Sequence, residues 1–346
     1  MRWEANPIYI AGTGASRPKA VTVESAITAG RYDREAAAKG QLLATTIADE
    51  DERAVDFAVR AARQALSRSG YQTADLELLL YAVVLDSGIP VSNAGSYILR
   101  ELGAEGGIAD QIQSACAGAL RAVDLAGSCL VAHDGKPAAL VVAADCWPPT
   151  MVDRWRSGTP IVWADGGSAV VLSRERGFAR LLALHTHSDP SLEALNRGAE
   201  SFGRPPSWYP LDFGRRAEHF FGHTMSKSDY YQRRNAGLLT AVERATAEAH
   251  VALRHIKHVL YPFVPYNLLL KECLEPLGIS VDRTAWAYGR AIGHMGGADV
   301  LTGYEYLVQS EQLFPGDYAL LIGEGAGFVW TAAVIETLDA PRYGAV

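Results

Sequence analysis

The chain has 346 residues, 49% hydrophobic and 21% charged, enough for one large or two medium domains around a substantial core. Its net charge of -7, with no block of lysine or arginine, argues against a nucleic-acid groove and means that an anionic substrate needs local cations. Four cysteines without CxxC spacing point away from a disulfide framework or a zinc site and toward a reducing, cytoplasmic setting. The N-terminus, Met1-Arg2-Trp3-Glu4-Ala5-Asn6-Pro7, lacks a signal peptide's apolar core, and apolar runs such as Leu78 to Leu85 read as too short to cross a bilayer. A soluble protein is expected.

Short apolar runs then alternate with helical periodicity. A strand is predicted over Ile8 to Ala11, a helix over about Asp51 to Ser69, a strand over Leu76 to Val84 and a helix over Ser92 to Leu102. Next comes Gln113-Ser114-Ala115-Cys116-Ala117-Gly118-Ala119-Leu120, a cysteine among small residues where a strand hands over to a helix marked by Leu120, Val123, Ala126 and Leu130. A helix N-terminus carries roughly half a positive charge and unpaired N–H groups, which stabilise a thiolate and can donate to an oxyanion. A free cysteine is more often a small packing residue. Here, however, Ala115, Ala117 and Gly118 leave the sulfur open, so Cys116 is the candidate nucleophile; Cys129, Cys146 and Cys273 lack that setting. The strand Ala138 to Ala144 follows, and the alternation indicates an α/β protein.

The clearest internal signal is a duplication. Shifting the chain by the 178 residues that separate Cys116 from His294 also sets Gly118 over Gly296, Pro137 over Pro315 and the strand Leu140 to Ala144 over Tyr318 to Ile322. Each half has a small-residue turn feeding a strand, Asp165 to Leu172 and Gly323 to Trp330. Halves at 1–174 and 175–346, packed about a local two-fold axis, would bring the two helix N-termini together at the centre, Cys116 beside His294. The competing reading is two similar βα units sharing Gly and Pro turns by chance.

Five segments together resemble β-ketoacyl-acyl-carrier-protein synthase III of the thiolase superfamily, over nearly the whole chain. They are Ile10-Ala11-Gly12-Thr13-Gly14, Ala115-Cys116-Ala117-Gly118, Leu140 to Asp145, Asp165 to Ala169 and Gly323 to Trp330. The resemblance implies a thiolase-like five-layered αβαβα fold of two duplicated halves, a homodimer, no bound cofactor or metal, and an acyl-coenzyme A or acyl-carrier-protein thioester as donor. It also implies that Cys116 accepts the acyl group and that the backbone N–H groups of Cys116 and Ala326 form the oxyanion hole.

The departures from the family pattern define the expected chemistry. Condensing members carry a histidine in a Pro-His-x-x-Asn motif and a later asparagine, which together hold the thioester oxygen of a malonyl unit as carbon dioxide leaves. This chain has Pro262-Phe263-Val264-Pro265-Tyr266 at the first site and Gly293-His294 at the second. Phenylalanine donates no hydrogen bond, whereas the remaining thiol and imidazole suit acyl transfer, Cys116 taking the acyl group and His294 deprotonating an acceptor. Asp299, five residues on, is the candidate to orient the imidazole; the alternative is an acid favoured in a helix's first turn.

Within the family the pattern resembles the ester- and thioester-forming branch of natural-product pathways, whose members pass a malonyl group intact to a sugar hydroxyl of a glycosylated polyketide. The malonyl group and the hydroxyl acceptor are implied by that resemblance alone. Alternatives are a decarboxylating ketosynthase and a non-catalytic partner subunit.

Other candidates are weaker. Phe263, Arg154 and Trp155 are possible substrate contacts, with Arg156 beside them, since guanidinium suits phosphate or carboxylate. Residues Gly30 to Thr46 lack the tryptophan with which synthase III proteins usually hold coenzyme A. The aromatic and arginine-rich stretch from Gly203 through His223 reads as a cap over a flat acceptor or as a surface loop. Glu324, beside the late Gly-rich turn, reads as a polar contact more readily than as a second carboxylate for His294, and His185 and His187 read as structural.

Overall fold

A computed structural model of the chain describes residues 6–85, 89, 91–158, 160–202 and 209–340. Its strands are β1 (Ile8–Ser16), β2 (Ala20–Thr22), β3 (Ala44–Thr46), β4 (Leu76–Ala82), β5 (Ile108–Ile112), β6 (Ala138–Asp145), β7 (Gly166–Ser173), β8 (Ala179–Ser188), β9 (Ile256–Leu260), β10 (Tyr318–Gly325) and β11 (Val329–Thr337). Among the described residues, the helices of eight residues or more are α1 (Ala54–Ser69), α2 (Ala94–Glu101), α3 (Gly118–Ala132), α4 (Phe213–His223), α5 (Lys227–Ala249) and α6 (Asp299–Gln309).

β2 and β3 form a separate ribbon, and the other strands make one ladder in the order β5-β4-β6-β7-β1-β8-β11-β10-β9. The join between β1 and β8 consists only of Ile8–Leu181, Tyr9–Arg180 and Ile10–Ala179. On either side of that narrow seam the ladder splits into two sheets with α3 and α6 packed between them: Leu120, Val123, Leu301, Tyr304 and Leu307 share one core with Val141, Val170, Leu321 and Ala333. The outer face of the first sheet is covered by α1 and α2 through Phe57, Ala61, Ala65, Ile98 and Leu99. The outer face of the second is covered by α5 through Leu238, Ala241, Val242 and Ala245. This is the thiolase-like αβαβα layering. It also explains why β6 and β7 are buried at every position, since strands covered on both faces need no polar alternation.

The central layer corrects one expectation. Ala115–Ala132 is long and apolar enough, by length and composition, to cross a membrane. Its apolar surface instead meets two sheets, and truncating the fully buried Leu120 to alanine would cost about 2–5 kcal/mol.

The internal repeat is visible as β4, β6, β7, β1 and α3 matching β9, β10, β11, β8 and α6. β4 runs parallel to β6 as β9 does to β10, and β6 is antiparallel to β7 as β10 is to β11. The 178-residue offset then breaks, because residues 146–165 join β6 to β7 whereas residues 326–328 suffice between β10 and β11. Gly323 to Gly325, expected in a turn, are the end of β10. β1 extends past Ala11 to Ser16, since Gly12 to Ser16 still pair with β7 although they carry no apolar pattern. The helix expected from Asp51 starts at Ala54; the Asp56 carboxylate accepts from Arg53 N–H and fixes that start.

Candidate active site

β5 ends at Ile112, and Ala115–Ala117 form a single tight turn that runs into α3. The turn is left-handed at Ala115, φ 45°, a conformation that costs a non-glycine residue on the order of 1–3 kcal/mol and therefore has to be held by its surroundings. No side chain caps the turn or α3, so the N–H groups around Cys116 keep their capacity to donate. The end of β10 lies directly against them. A Cβ added to Gly325 would sit 3.0 Å from Cys116 N and 2.7 Å from Ala117 N, which only glycine avoids.

The second turn enters from the other half of the chain. Gly293, φ 87°, lets the backbone reverse ahead of His294, and Gly296–Ala298 leads into α6. His294 Nε2 lies 3.0 Å from Cys116 Sγ. Its Nδ1 lies 2.5 Å from Asp299 Oδ2, so Nδ1 donates to the carboxylate and Nε2 faces the sulfur. Asp299 is itself fixed: Oδ2 also accepts from Phe263 N–H and Oδ1 from Met295 N–H, both at 2.7 Å. His294 is 3% exposed and Asp299 0%, while Cys116 is half-buried.

Burial pulls the His294 pKa down, but the facing Cys116 sulfur and the Asp299 carboxylate outweigh it and hold the imidazole well above its ordinary value of 6.5. Chemically, the arrangement is a thiol, a protonatable imidazole aligned on it and a buried carboxylate aligned on the imidazole.

The structure therefore brings Cys116, His294 and Asp299 together and places Ala326 immediately after Gly325, at the start of the turn between β10 and β11. Three sequence expectations change. The Phe263 ring is a core group, packed on Gly289 and Gly303 and edge-on to Tyr288, so what Phe263 brings to the site is its N–H on Asp299. Arg154 is buried in an ion pair with Asp165 at 3.0 Å and donates to the Trp163 carbonyl, because a guanidinium sealed in the interior needs that company. Trp155 is buried against Tyr32, Val23, Leu42 and Val162. Neither side chain is available as the substrate contact expected of it.

Glu324 answers to a different partner. It accepts from Arg234 Nε at 3.0 Å and from Tyr261 Oη at 2.7 Å, on the side of β10 that faces α5. Arg234 is fully buried, and Glu272 joins the same cluster with its pKa raised to about 7, burial outweighing the arginine. Sequence reading passed over this network because a lone arginine in the polar N-terminal part of α5 resembles a solvated residue. Asp145 stands at the end of β6. It accepts from Val84 and Leu85 N–H, and burial raises its pKa to about 8.

Of the expected cap, Gly203 to Trp208 lie outside the described residues. Phe213 opens α4 with its ring 5.5 Å from that of Trp163, while Phe220 is buried and Arg216 pairs with Glu200. Trp163 in turn lies 5.3 Å from the His294 ring, so this stretch borders the site. His185 lies 3.6 Å from Glu248, away from it.

The fold is shared with known proteins. A family model for 3-oxoacyl-[acyl-carrier-protein] synthase III matches residues 111–190, and one for the C-terminal part of synthase III matches residues 246–337. A β-ketoacyl-[acyl-carrier-protein] synthase III of Wolbachia pipientis subsp. Culex pipiens is 22% identical over 331 residues, covering 95% of this chain and 98% of its own. Among solved structures, the acyltransferase ChlB3 superposes with a TM-score of 0.92 at 34% identity, covering 97% of this chain and 100% of its own. The synthase III FabH of Pseudomonas aeruginosa PAO1 shares the fold, with a TM-score of 0.79 at 20% identity over 97% of this chain and 100% of its own.

Proposed function

The chain belongs to the ketosynthase III-like acyltransferases of the thiolase superfamily, and from that premise we propose that it moves an acyl group, intact, from a thioester through Cys116 to an acceptor hydroxyl. The observation that carries this reading is the 3.0 Å approach of His294 Nε2 to Cys116 Sγ; the family resemblance adds that Phe263, which has no side-chain donor, stands in the motif where condensing members carry a histidine. Electrophilic help for decarboxylation is removed and a general base is supplied.

In this reading the Cys116 thiolate adds to the donor carbonyl, and the developing oxyanion is held by the N–H groups of Cys116 and Ala326. The tetrahedral centre collapses with cleavage of the donor's C–S bond, and the His294 proton passes to the departing thiolate. Acylation also cancels the negative sulfur that held that proton. The neutral imidazole then takes the proton of the acceptor hydroxyl, whose oxygen bonds to the acyl carbon as Cys116 leaves as thiolate beside a re-formed imidazolium. Asp299 holds Nδ1 throughout.

On the resemblance to the malonyl transferase of cervimycin biosynthesis, the acyl group is malonyl, the donor malonyl-coenzyme A or a malonyl carrier protein, and the acceptor a sugar hydroxyl on a glycosylated polyketide. The enzyme is expected to work in the cytoplasm with halves at 1–174 and 175–346. It is also expected to work as a homodimer, which the exposed Ile108 on the sheet's terminal strand β5 supports. The test supplies isolated, malonyl-loaded protein with a glycosylated aromatic polyketide or with a carrier thiol. A malonyl ester on the sugar is expected; release of carbon dioxide with a new carbon–carbon bond overturns the reading.

A further inference from the structure

We propose that Trp163 is a positioning residue for His294, holding the imidazole in line with Cys116 and favouring its charged form through the face of the indole. The inference rests on Cys116 and His294 acting as an acyl-transfer pair and adds a component that the triad alone does not contain.

The main chains come first. His294 N–H donates to the Val162 carbonyl at 2.9 Å, and Ala164 N–H donates to the His294 carbonyl at 2.8 Å, which makes residues 163 and 294 partners in a short parallel bridge. Paired residues in a parallel bridge project their side chains to the same side. Accordingly the indole and imidazole rings lie 5.3 Å apart at 47°.

The indole has little freedom to leave. It rests 4.2 Å from the Trp147 ring and 5.5 Å from the Phe213 ring, with Gly158 against its Nε1 edge. The backbone carbonyl of Trp163 accepts from Thr45 Oγ1 at 2.8 Å and Arg154 Nη1 at 3.1 Å, and its backbone N–H donates to the Arg154 carbonyl at 3.1 Å. The Arg154–Asp165 ion pair, whose carboxylate also accepts from Trp147 and Ala48 N–H, closes the base of this connection. Residues 162–164, within the connection whose counterpart in the other half is only residues 326–328, therefore form a buckle against the histidine of that other half.

The electrostatic part follows from the ring. An indole face attracts a cation within about 6 Å of its centroid, more strongly when the pair is desolvated. The ionisable groups facing His294 are Cys116 from the turn before α3, Asp299 from α6 and Asp145 from the end of β6. All three are anionic or neutral and none reproduces the ring. Trp163 thus adds to the stabilisation of the thiolate–imidazolium pair without changing the net charge of the pocket.

The pH dependence of Cys116 alkylation by iodoacetamide tests this in the intact protein, with site occupancy read by peptide mass, and needs neither donor nor acceptor. If Trp163 favours imidazolium, Trp163→Leu shifts the acid limb of the alkylation profile upward by about 0.5–1 pH unit, since less thiolate forms at a given pH. Trp163→Phe, which keeps an aromatic face, stays within about a third of that shift. A Trp163→Leu protein with the parental profile, or a Trp163→Phe protein that shifts as far as the leucine variant, overturns the proposal. Should the leucine variant not fold by circular dichroism, a Trp163→Phe profile displaced by more than the full leucine expectation overturns it, and a parental one with unchanged loading supports it. A parental protein whose Cys116 is alkylated no faster than a free cysteine at the same pH would instead count against the acyl-transfer pair itself.

Discussion

The two turns that meet at the centre of the molecule descend from one repeated unit and have been filled in opposite ways. Around Cys116 the turn is bare: no side chain caps it, and its N–H groups face Gly325 and the space in front of the sulfur. Around His294 the equivalent space is occupied by the Asp299 carboxylate, which takes Met295 N–H, Phe263 N–H and the imidazole N–H together. In the proposed reaction one turn offers positive potential to a charge that comes and goes, while the other uses the Asp299 carboxylate to fix a base. Repeating a fold unit gives two similar addresses, and the chemistry arises from making them unlike.

Substitutions break that contrast in a graded order. Cys116→Ala removes the acyl acceptor, and transfer falls by about a thousandfold or more, with no covalent adduct detected by intact mass. His294→Gln lowers transfer by about 10²–10⁴-fold, measured as acyl acceptor formed per loaded enzyme, while an adduct still forms. Asp299→Asn leaves an amide that no longer fixes the tautomer and lowers turnover by on the order of 10²–10³-fold.

The same variant changes the stability curve. Because the His294 pKa is raised in the folded protein, its contribution is fully present below about pH 6.5 and is lost as pH rises through the folded value. Urea unfolding of the parent at a series of pH values records that decline, and Asp299→Asn flattens it. Two further changes touch stability more than chemistry. Glu324→Gln leaves Arg234 without its principal counter-charge and costs about 3 kcal/mol by urea unfolding. Phe263→His places an imidazole among Gly289, Gly303 and Tyr288 and costs about 1–3 kcal/mol, without conferring decarboxylation.

Much of this site can be read from the order of residues. Cys116 betrays itself by small neighbours at a strand-to-helix junction, and the repeat carries His294 onto it at the 178-residue offset. Asp299 follows because five residues of turn and first helical turn bring a carboxylate back to the ring. What stays hidden are contacts whose partners are distant in sequence and unremarkable in type. Arg154 looks like a surface cation until Asp165 is seen beside it, and Glu324 looks like a possible second acid until Arg234 and Tyr261 claim it. Trp163 sits in an irregular connection with no periodicity to place it. β5 and α5 are likewise weakly marked, the first by its short mixed pattern and the second by a polar N-terminal half.

The central claim is that Cys116 receives an acyl group and keeps it whole. Intact-mass measurement after exposure to malonyl-coenzyme A, repeated with malonyl carrier protein and localised by peptide mapping, tests it most directly. A malonyl adduct on Cys116 that retains its carboxyl group is predicted. An acetyl adduct would show that decarboxylation survives without the family histidine, and no adduct from either donor would contradict the account.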